Sequence, residues 1–78
     1  MPRYFFHLYN DEIVLDEEGQ ELAGAEDARR VAVDNAREMA AASVQQGELN
    51  LEHRIDAADE VGNVIWTVRF GDIVKVKA

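Results

Sequence analysis

The sequence has 78 residues, which is the size of one domain, because a chain this short buries only about 60% of its unfolded surface. Hydrophobic residues make up 47% and charged residues 31%, a composition that argues against a wholly disordered chain. There is no cysteine, so disulfides, thiolate metal sites and thiol nucleophiles are excluded. Self-association is the remaining way to support so small a core.

The charge balance narrows the classes of partner. Sixteen acidic residues against eight basic ones give a net charge of −8, the wrong sign for binding a nucleic-acid backbone or an anionic membrane surface. No apolar run approaches the roughly 20 residues that span a bilayer, and the opening Met1 to Phe6 lacks the pattern of a signal peptide. We therefore predict a cytoplasmic protein that binds neither nucleic acid nor membrane.

The first predicted elements are two strands. Arg3 to Tyr9 is rich in aromatic residues and has no helix breaker, which favours a strand. Asn10-Asp11 is typical of a turn, and Glu12 to Leu15 predicts a second short strand that ends at the turn Asp16 to Gly19. The chain is therefore expected to open with a β-hairpin.

An alanine-rich stretch follows and predicts one long helix, Ala25 to Gln46. Glu26 and Asp27 lie in its first turn, where they oppose the helix dipole, and Gly47 suits a left-handed cap after the last turn. The apolar positions form one stripe, so we expect one face to pack on a sheet. That stripe consists of Ala28, Val31, Ala32, Ala36, Met39 and Ala40.

Two further strands are predicted after the helix. Leu49 to Ala57 and Val64 to Phe70 both alternate with period 2, and Asp59 to Asn63 lies between them as a turn. Ile73 to Val76 is a candidate fifth, short edge strand. The order hairpin, helix, hairpin predicts a single α+β domain over residues 1–78, with ββαββ order, a four-stranded antiparallel sheet and the helix packed on one face.

One helix covers only one sheet face. The more uniformly apolar alternate residues are expected to face it: Tyr4, Phe6, Leu8, Ile13, Leu15, Leu51, Ile55, Val64, Trp66 and Val68. The other face then carries Val14 and a charged group, Glu52, Arg54, Asp56 and Arg69, beside several aromatic and β-branched residues. Exposed aromatic patches often mark interfaces. We therefore predict a protein interface formed by Phe5, His7, Tyr9, Ile65 and Thr67.

Three segments carry a family resemblance. They are the opening Met-Pro-Arg-Tyr-Phe-Phe-His-Leu, the acidic turn Asp16-Glu17-Glu18-Gly19 with Glu21-Leu22, and Ala58-Asp59-Glu60-Val61-Gly62 with Val68 and Phe70. Together they resemble a family of short bacterial proteins, the domain of unknown function 6894, over essentially the whole chain. The resemblance implies a bacterial cytoplasmic setting and brings no activity, cofactor or catalytic residue with it.

The strongest charge feature is a run of eight acids without a base: Asp11, Glu12, Asp16, Glu17, Glu18, Glu21, Glu26 and Asp27. Clustered oxygens suit calcium, but the Asp-x-Asp-x-Asp-Gly spacing is missing, and scattered acids are typical of a solvated edge. A second interpretation is that they imitate nucleic-acid phosphates and bind a basic groove. We predict no metal site and keep the mimic as an alternative function.

No group of residues indicates catalysis. His7 and His53 are predicted on opposite sheet faces, and their spacing carries no zinc motif. Ser43 lies in the helix outside any Gly-x-Ser-x-Gly elbow, and the dispersed glycines form no phosphate-binding loop. Trp66 alternates with valines and is predicted to lie in the core rather than to form a stacking platform. The chain is thus predicted to be a non-enzyme without cofactors.

The sequence therefore favours a small acidic protein-interaction module that self-associates as a homodimer or binds another protein. The alternative is an acidic inhibitor or regulator that mimics nucleic acid and docks on a basic partner.

Overall fold

A computed structural model describes residues 1–77 of the chain. The elements in chain order are β1 (Arg3–Tyr9), β2 (Ile13–Val14), β3 (Gln20–Glu21), α1 (Ala25–Gln45), β4 (Arg54–Ala58), β5 (Val64–Arg69) and α2 (Phe70–Ile73). All strand pairs are antiparallel, in the order β2-β1-β4-β5. Strand β3 pairs with the other end of β1, on the edge that β4 leaves free. The predicted α+β domain with two hairpins around one helix is confirmed.

The fifth strand lies elsewhere than predicted. It is β3, in the loop that leads into α1, whereas Ile73 to Val76 forms no strand in the described part of the chain. At the end of β5 the backbone N–H of Arg69 donates to the Asp72 carboxylate, and the N–H of Val74 donates to the carbonyl of Phe70. These bonds turn the chain into α2 instead of continuing it as a strand.

The third predicted strand is also shorter than expected. It begins at Arg54 and not at Leu49, because the preceding residues form a turn. The Asn50 side chain accepts a hydrogen bond from the N–H of Glu52, and the Asn50 carbonyl accepts one from the N–H of His53. An Asn that bonds the backbone two residues ahead is typical of a turn and overrides the alternating pattern.

Helix α1 packs on the sheet through alanines spaced four residues apart. Ala28, Ala32, Ala36 and Ala40 are almost completely buried. They face the inner residues of β4 and β5, where Ala57 is also fully buried. The side chains between helix and sheet are thus small, so the two backbones approach closely. The larger core residues Ile55, Val68 and Phe70 fill the rest.

Both ends of α1 are fixed. The Trp66 indole Nε1 donates to the carbonyl of Ala25 over 2.8 Å and ties the start of the helix to β5. At the other end Gly47 has φ 94°, and the N–H groups of Gly47 and Glu48 bond back to the carbonyls of Val44 and Ser43. This pairing is a Schellman motif, as the predicted left-handed glycine cap requires.

A bulge and a short strand change the predicted face assignment. Strand β5 has an irregular register at Ala57 and Ala58, so Val64 pairs with Ala58 and Ile65 is the extra residue. In β2, Val14 pairs with Leu8 and therefore lies on the helix side of the sheet, whereas Ile13 lies on the other side. We predicted Ile13 and Val64 on the helix side of the sheet and Val14 on the other side, and the structure places each of them on the opposite side. A register shift of one residue exchanges the two faces of a strand.

Gly19 is held where any side chain would collide. Its φ is 69°, and a Cβ there would lie 2.9 Å from Phe5, from Arg3 and from the Tyr4 carbonyl oxygen. Gly47 also has a positive φ, but a Cβ there would meet open space. We predict that Gly47→Ala costs about 1 kcal/mol from the backbone conformation alone.

Gly19→Ala is predicted to cost a further 1 to 3 kcal/mol, roughly, because of the added collision. Urea unfolding of both variants measures the difference in the free energy of unfolding. Equal losses for the two variants would show that the close approach at Gly19 is unimportant.

Candidate functional site

The sheet surface opposite α1, here called the open face, contains most of the predicted interface. Phe5, His7 and Tyr9 alternate along β1 on this side, opposite Ala58, Asp56 and Arg54 of β4. Thr67 of β5 lies across from Asp56. Ile65 differs, because it sits at the bulge and packs partly buried against the core.

The centre of the open face is polar and internally bonded. Asp56 is only 7% exposed, and one of its oxygens accepts bonds from Thr67 Oγ1 at 3.0 Å and from Arg54 Nε at 3.2 Å. The Arg54 guanidinium also lies 4.0 Å from the centroid of the Tyr9 ring. The buried charge thus has partners, as a stable buried carboxylate requires. This face is less apolar than the sequence predicted.

His7 is engaged by the acidic loop. The backbone N–H of Asp16 donates to His7 Nδ1 over 3.0 Å, so this ring nitrogen is the acceptor. The Asp16 carboxylate in turn accepts bonds from the N–H groups of Phe6, Glu18 and Gly19, each at 3.1 Å. The Asp16 side chain therefore takes the place of a paired strand at the edge of β1 between β2 and β3. One acid of the run thus has a structural role.

These bonds set the protonation of Asp16. Burial by itself raises the pKa of Asp16, but the hydrogen bonds from Gly19, Phe6 and Glu18, together with nearby His7, outweigh it, so the pKa lies below its ordinary value. A carboxyl with a lowered pKa stabilises the fold above the ordinary Asp pKa of about 4, and this stabilisation is lost as the pH falls through the folded-state value.

We predict that Asp16→Asn lowers the free energy of unfolding at neutral pH by about 1 kcal/mol, because the amide replaces a charged acceptor of three N–H groups. The gap between wild type and variant should shrink as the pH falls below about 4, where the wild-type carboxyl also becomes neutral. Urea unfolding at several pH values measures it. Glu17→Gln, at the exposed neighbouring acid, is the control and should leave the pH profile unchanged. A gap independent of pH would contradict the assigned role.

The helix side of the sheet is only partly covered. Helix α1 packs over β4 and β5, and the flank formed by β1 and β2 lies beside it. A depression of about 420 Å³ opens there, with an apolar floor of Phe6, Leu8, Val14 and Leu15 and a rim of Asp16, Glu17 and Glu18. We call this the β1–β2 groove. Val14 is 51% and Leu15 58% exposed, so the groove presents aliphatic surface to solvent.

A second cleft of about 500 Å³ lies on the β1 side of α1, between the helix and the loops around Asp11 and Asn50. His53 lies in it, with its Nε2 atom 3.5 Å from an Asp11 oxygen and its ring edge against Phe70. The His53 Nδ1 atom is buried without a hydrogen-bond partner. Ser43 lines the cleft without a hydrogen bond to His53 among the described contacts, so no nucleophile and base are joined there.

The other acids of the run are dispersed. Glu21 pairs with Arg3 at 3.5 Å and Asp27 with Arg30 at 3.3 Å. Within residues 1–77, no three His, Asp or Glu side chains are placed to hold a metal ion together. The histidines lie on opposite sides of the sheet, as predicted, because His7 precedes the outward-facing Tyr9 by two residues and His53 contacts the core residue Phe70.

We predict that removing divalent cations leaves the fold intact. The thermal unfolding midpoint should be the same with and without EDTA, because a structural metal needs several converging ligands. A midpoint that falls by many degrees in EDTA and recovers on adding calcium would contradict this, and Asp16, Glu17 and Glu18 would be the first ligands to replace.

Sequence reasoning missed the Asp16 clamp, by which we mean the hydrogen bonds that the Asp16 carboxylate accepts from Phe6, Glu18 and Gly19, and it missed the β1–β2 groove. The clamp had a signal, because an Asp followed by Gly three residues later is typical of a side-chain-bonded turn. The groove had no signal in the sequence, because its existence depends on which strands the helix covers. Neither helix among residues 1–77 combines the length and apolar character needed to cross a bilayer.

Fold and surface together define a small α+β domain in which one helix covers half of a sheet face. The chain belongs to the family described as domain of unknown function (DUF6894), whose model matches residues 3–71. The resemblance found in the sequence is thereby confirmed. No curated protein and no solved structure matches this chain.

Proposed function

We propose that this chain is a small protein-interaction module of the bacterial cytoplasm, that it carries out no catalysis, and that it self-associates. The observation that carries the proposal is the β1–β2 groove, where Val14 and Leu15 expose adjacent aliphatic side chains beside half-buried Phe6 and Leu8. Binding of a partner that removes apolar surface of this kind from water is favourable in free energy.

The composition supports self-association. A domain of 78 residues without cysteine has only a small core, and α1 contributes mostly alanines to it. Burial of apolar surface against a second copy would add stabilisation at about 25 cal/mol per Å². The net charge of −8 opposes this, but the floor of the groove is uncharged, so repulsion acts mainly at its rim.

The open face is the second surface within this proposal. Its aromatic residues Phe5 and Tyr9 are half-buried, and its Asp56 is already bonded by Arg54 and Thr67. Such a face suits the polar, hydrated part of an interface more than its apolar centre. The interface residues predicted on it, His7 and Thr67 included, are therefore proposed as a contributing surface.

The alternative of an acidic mimic has narrower support. A mimic needs free carboxylates arranged on one surface, but Asp16 bonds backbone N–H groups and Glu21 and Asp27 pair with arginines. The exposed acids Glu12, Glu17 and Glu18 are the ones that favour it. Binding to a basic partner that weakens steeply with added salt would support the mimic.

We predict that the purified chain has a mass above that of a monomer at high micromolar concentration. Val14→Asp places a charge on the exposed groove floor and should weaken association at least about tenfold. Val64→Asp probes the open face, because Val64 pairs with Ala58 and is exposed. Val61→Asp, in a turn where the side chain is 81% exposed, is the matched control.

Size exclusion with light scattering measures all four proteins, and circular dichroism checks that each is folded. Loss of association in Val14→Asp but not in Val61→Asp supports the groove. A wild type that stays monomeric at high micromolar concentration defeats the self-association proposal.

A further inference from the structure

We propose that the occupant of the β1–β2 groove is the segment Val74–Lys77 of a second copy of this chain, bound as an added extended strand. This inference rests on the proposed self-association and names the partner and the segment that provide it. It follows from the state of that segment, from the chemistry of the groove and from the place of each relative to α1.

The donor segment starts from an extended residue and pairs with no strand. Val74 has φ −119° and ψ 121°, which is β conformation, yet no strand pairs with residues 74–77 in the described structure. Val74 itself is anchored, because it packs partly buried against the core, while Val76 is 68% exposed. The Val74 N–H donates to the Phe70 carbonyl, so the segment leaves the core at a fixed point, and the backbone groups of residues 75–77 pair with no strand of the described structure, as strand addition requires.

Charge makes the segment and the groove complementary. The two lysines of the whole chain, Lys75 and Lys77, stand on either side of the exposed Val76. The rim of the groove carries Glu17 and Glu18, in a stretch that contains no lysine or arginine from residue 10 to residue 28. In an extended strand the two lysines lie on the side opposite Val76, so Val76 meets the aliphatic floor while the lysines act on the acidic rim through charge complementarity.

The backbone of the acceptor is also available. Strand β2 is at the end of the order β2-β1-β4-β5, so it has a strand on one side only among residues 1–77. An added strand would bond to β2 and cover Val14 and Leu15 with Val76. Main-chain bonds then supply affinity, and the alternating side chains supply selectivity.

The segment cannot bind the groove of its own chain, because α1 lies between the segment and that groove. Val74 lies on the side of the helix that carries Ala41 and Val44. The loop that leads into β2 lies on the other side, where Asp11 lines a cleft with Ser43. The donor and the acceptor therefore belong to different copies, and a two-fold pair in which each copy gives one segment and accepts one closes the assembly.

The test uses two variants at exposed positions, one for each half of the contact. Val14→Asp places a charge in the groove and leaves the segment unchanged. Val76→Asp places a charge on the segment and leaves the groove unchanged. Each variant alone should associate at least about tenfold more weakly than wild type. An equimolar mixture keeps one intact contact per pair and should recover part of the association in light scattering. Val61→Asp mixed with Val76→Asp shows how a partner with an undamaged groove behaves.

Charge exchange provides an independent measurement. Lys75→Glu with Lys77→Glu should weaken association, and adding Glu17→Lys with Glu18→Lys in the same chain should restore it. Failure of the restored chain to regain association would overturn the pairing of these charges, and with it the proposal.

The outcomes separate this inference from the proposed function. If the wild type associates and Val76→Asp associates equally well, self-association stands and the assignment of the segment is wrong. If Val14→Asp dissociates and the mixture with Val76→Asp recovers nothing, another part of the second copy occupies the groove and the proposal is overturned. A monomeric wild type overturns both.

Discussion

The close approach of α1 to strands β4 and β5 is the constraint from which the rest of the domain follows. Four alanines at every fourth position, from Ala28 to Ala40, lie against Ala57 and its neighbours, so the helix sits directly over the last two strands. A helix this near cannot also cover the first hairpin. The bulky residues Phe6 and Leu8 of β1 therefore reach only the edge of the helix, and the first hairpin keeps an uncovered apolar flank.

The edge of the first hairpin is stabilised by a side chain and not by a continuous strand. Between β2 and β3 the Asp16 carboxylate accepts the N–H of Phe6, and Gly19 packs so tightly on β1 that a methyl group would not fit. The acidic run thus contains a structural acid among solvated ones. This division explains why a charge count alone gave no reliable guide to function: carboxylates with different physical roles look the same in the sequence.

The long-period features of the fold could be predicted from the sequence, and the local irregularities could not. Helix α1 was predicted to within one residue, because propensity, dipole and the Gly47 cap agree. The period-2 pattern placed the strand ends poorly where a side chain competed for the backbone, as Asn50 does. It assigned faces wrongly at Ile65, where one extra residue changes the register, and in β2, where two residues are too few for a pattern.

Strand β1 has consequences for how the domain assembles in time. It is paired on both edges, with β2 and β3 from the next residues and with β4 from beyond the helix, Phe5 lying opposite Ala58. The first hairpin and α1 can form early from local contacts. The pairing of β1 with β4 forms only after the chain has been synthesised past Ala58 and a long loop has closed. During synthesis the aromatic strand is therefore exposed on one edge for most of the chain, and β4 completes the sheet in a late, cooperative step.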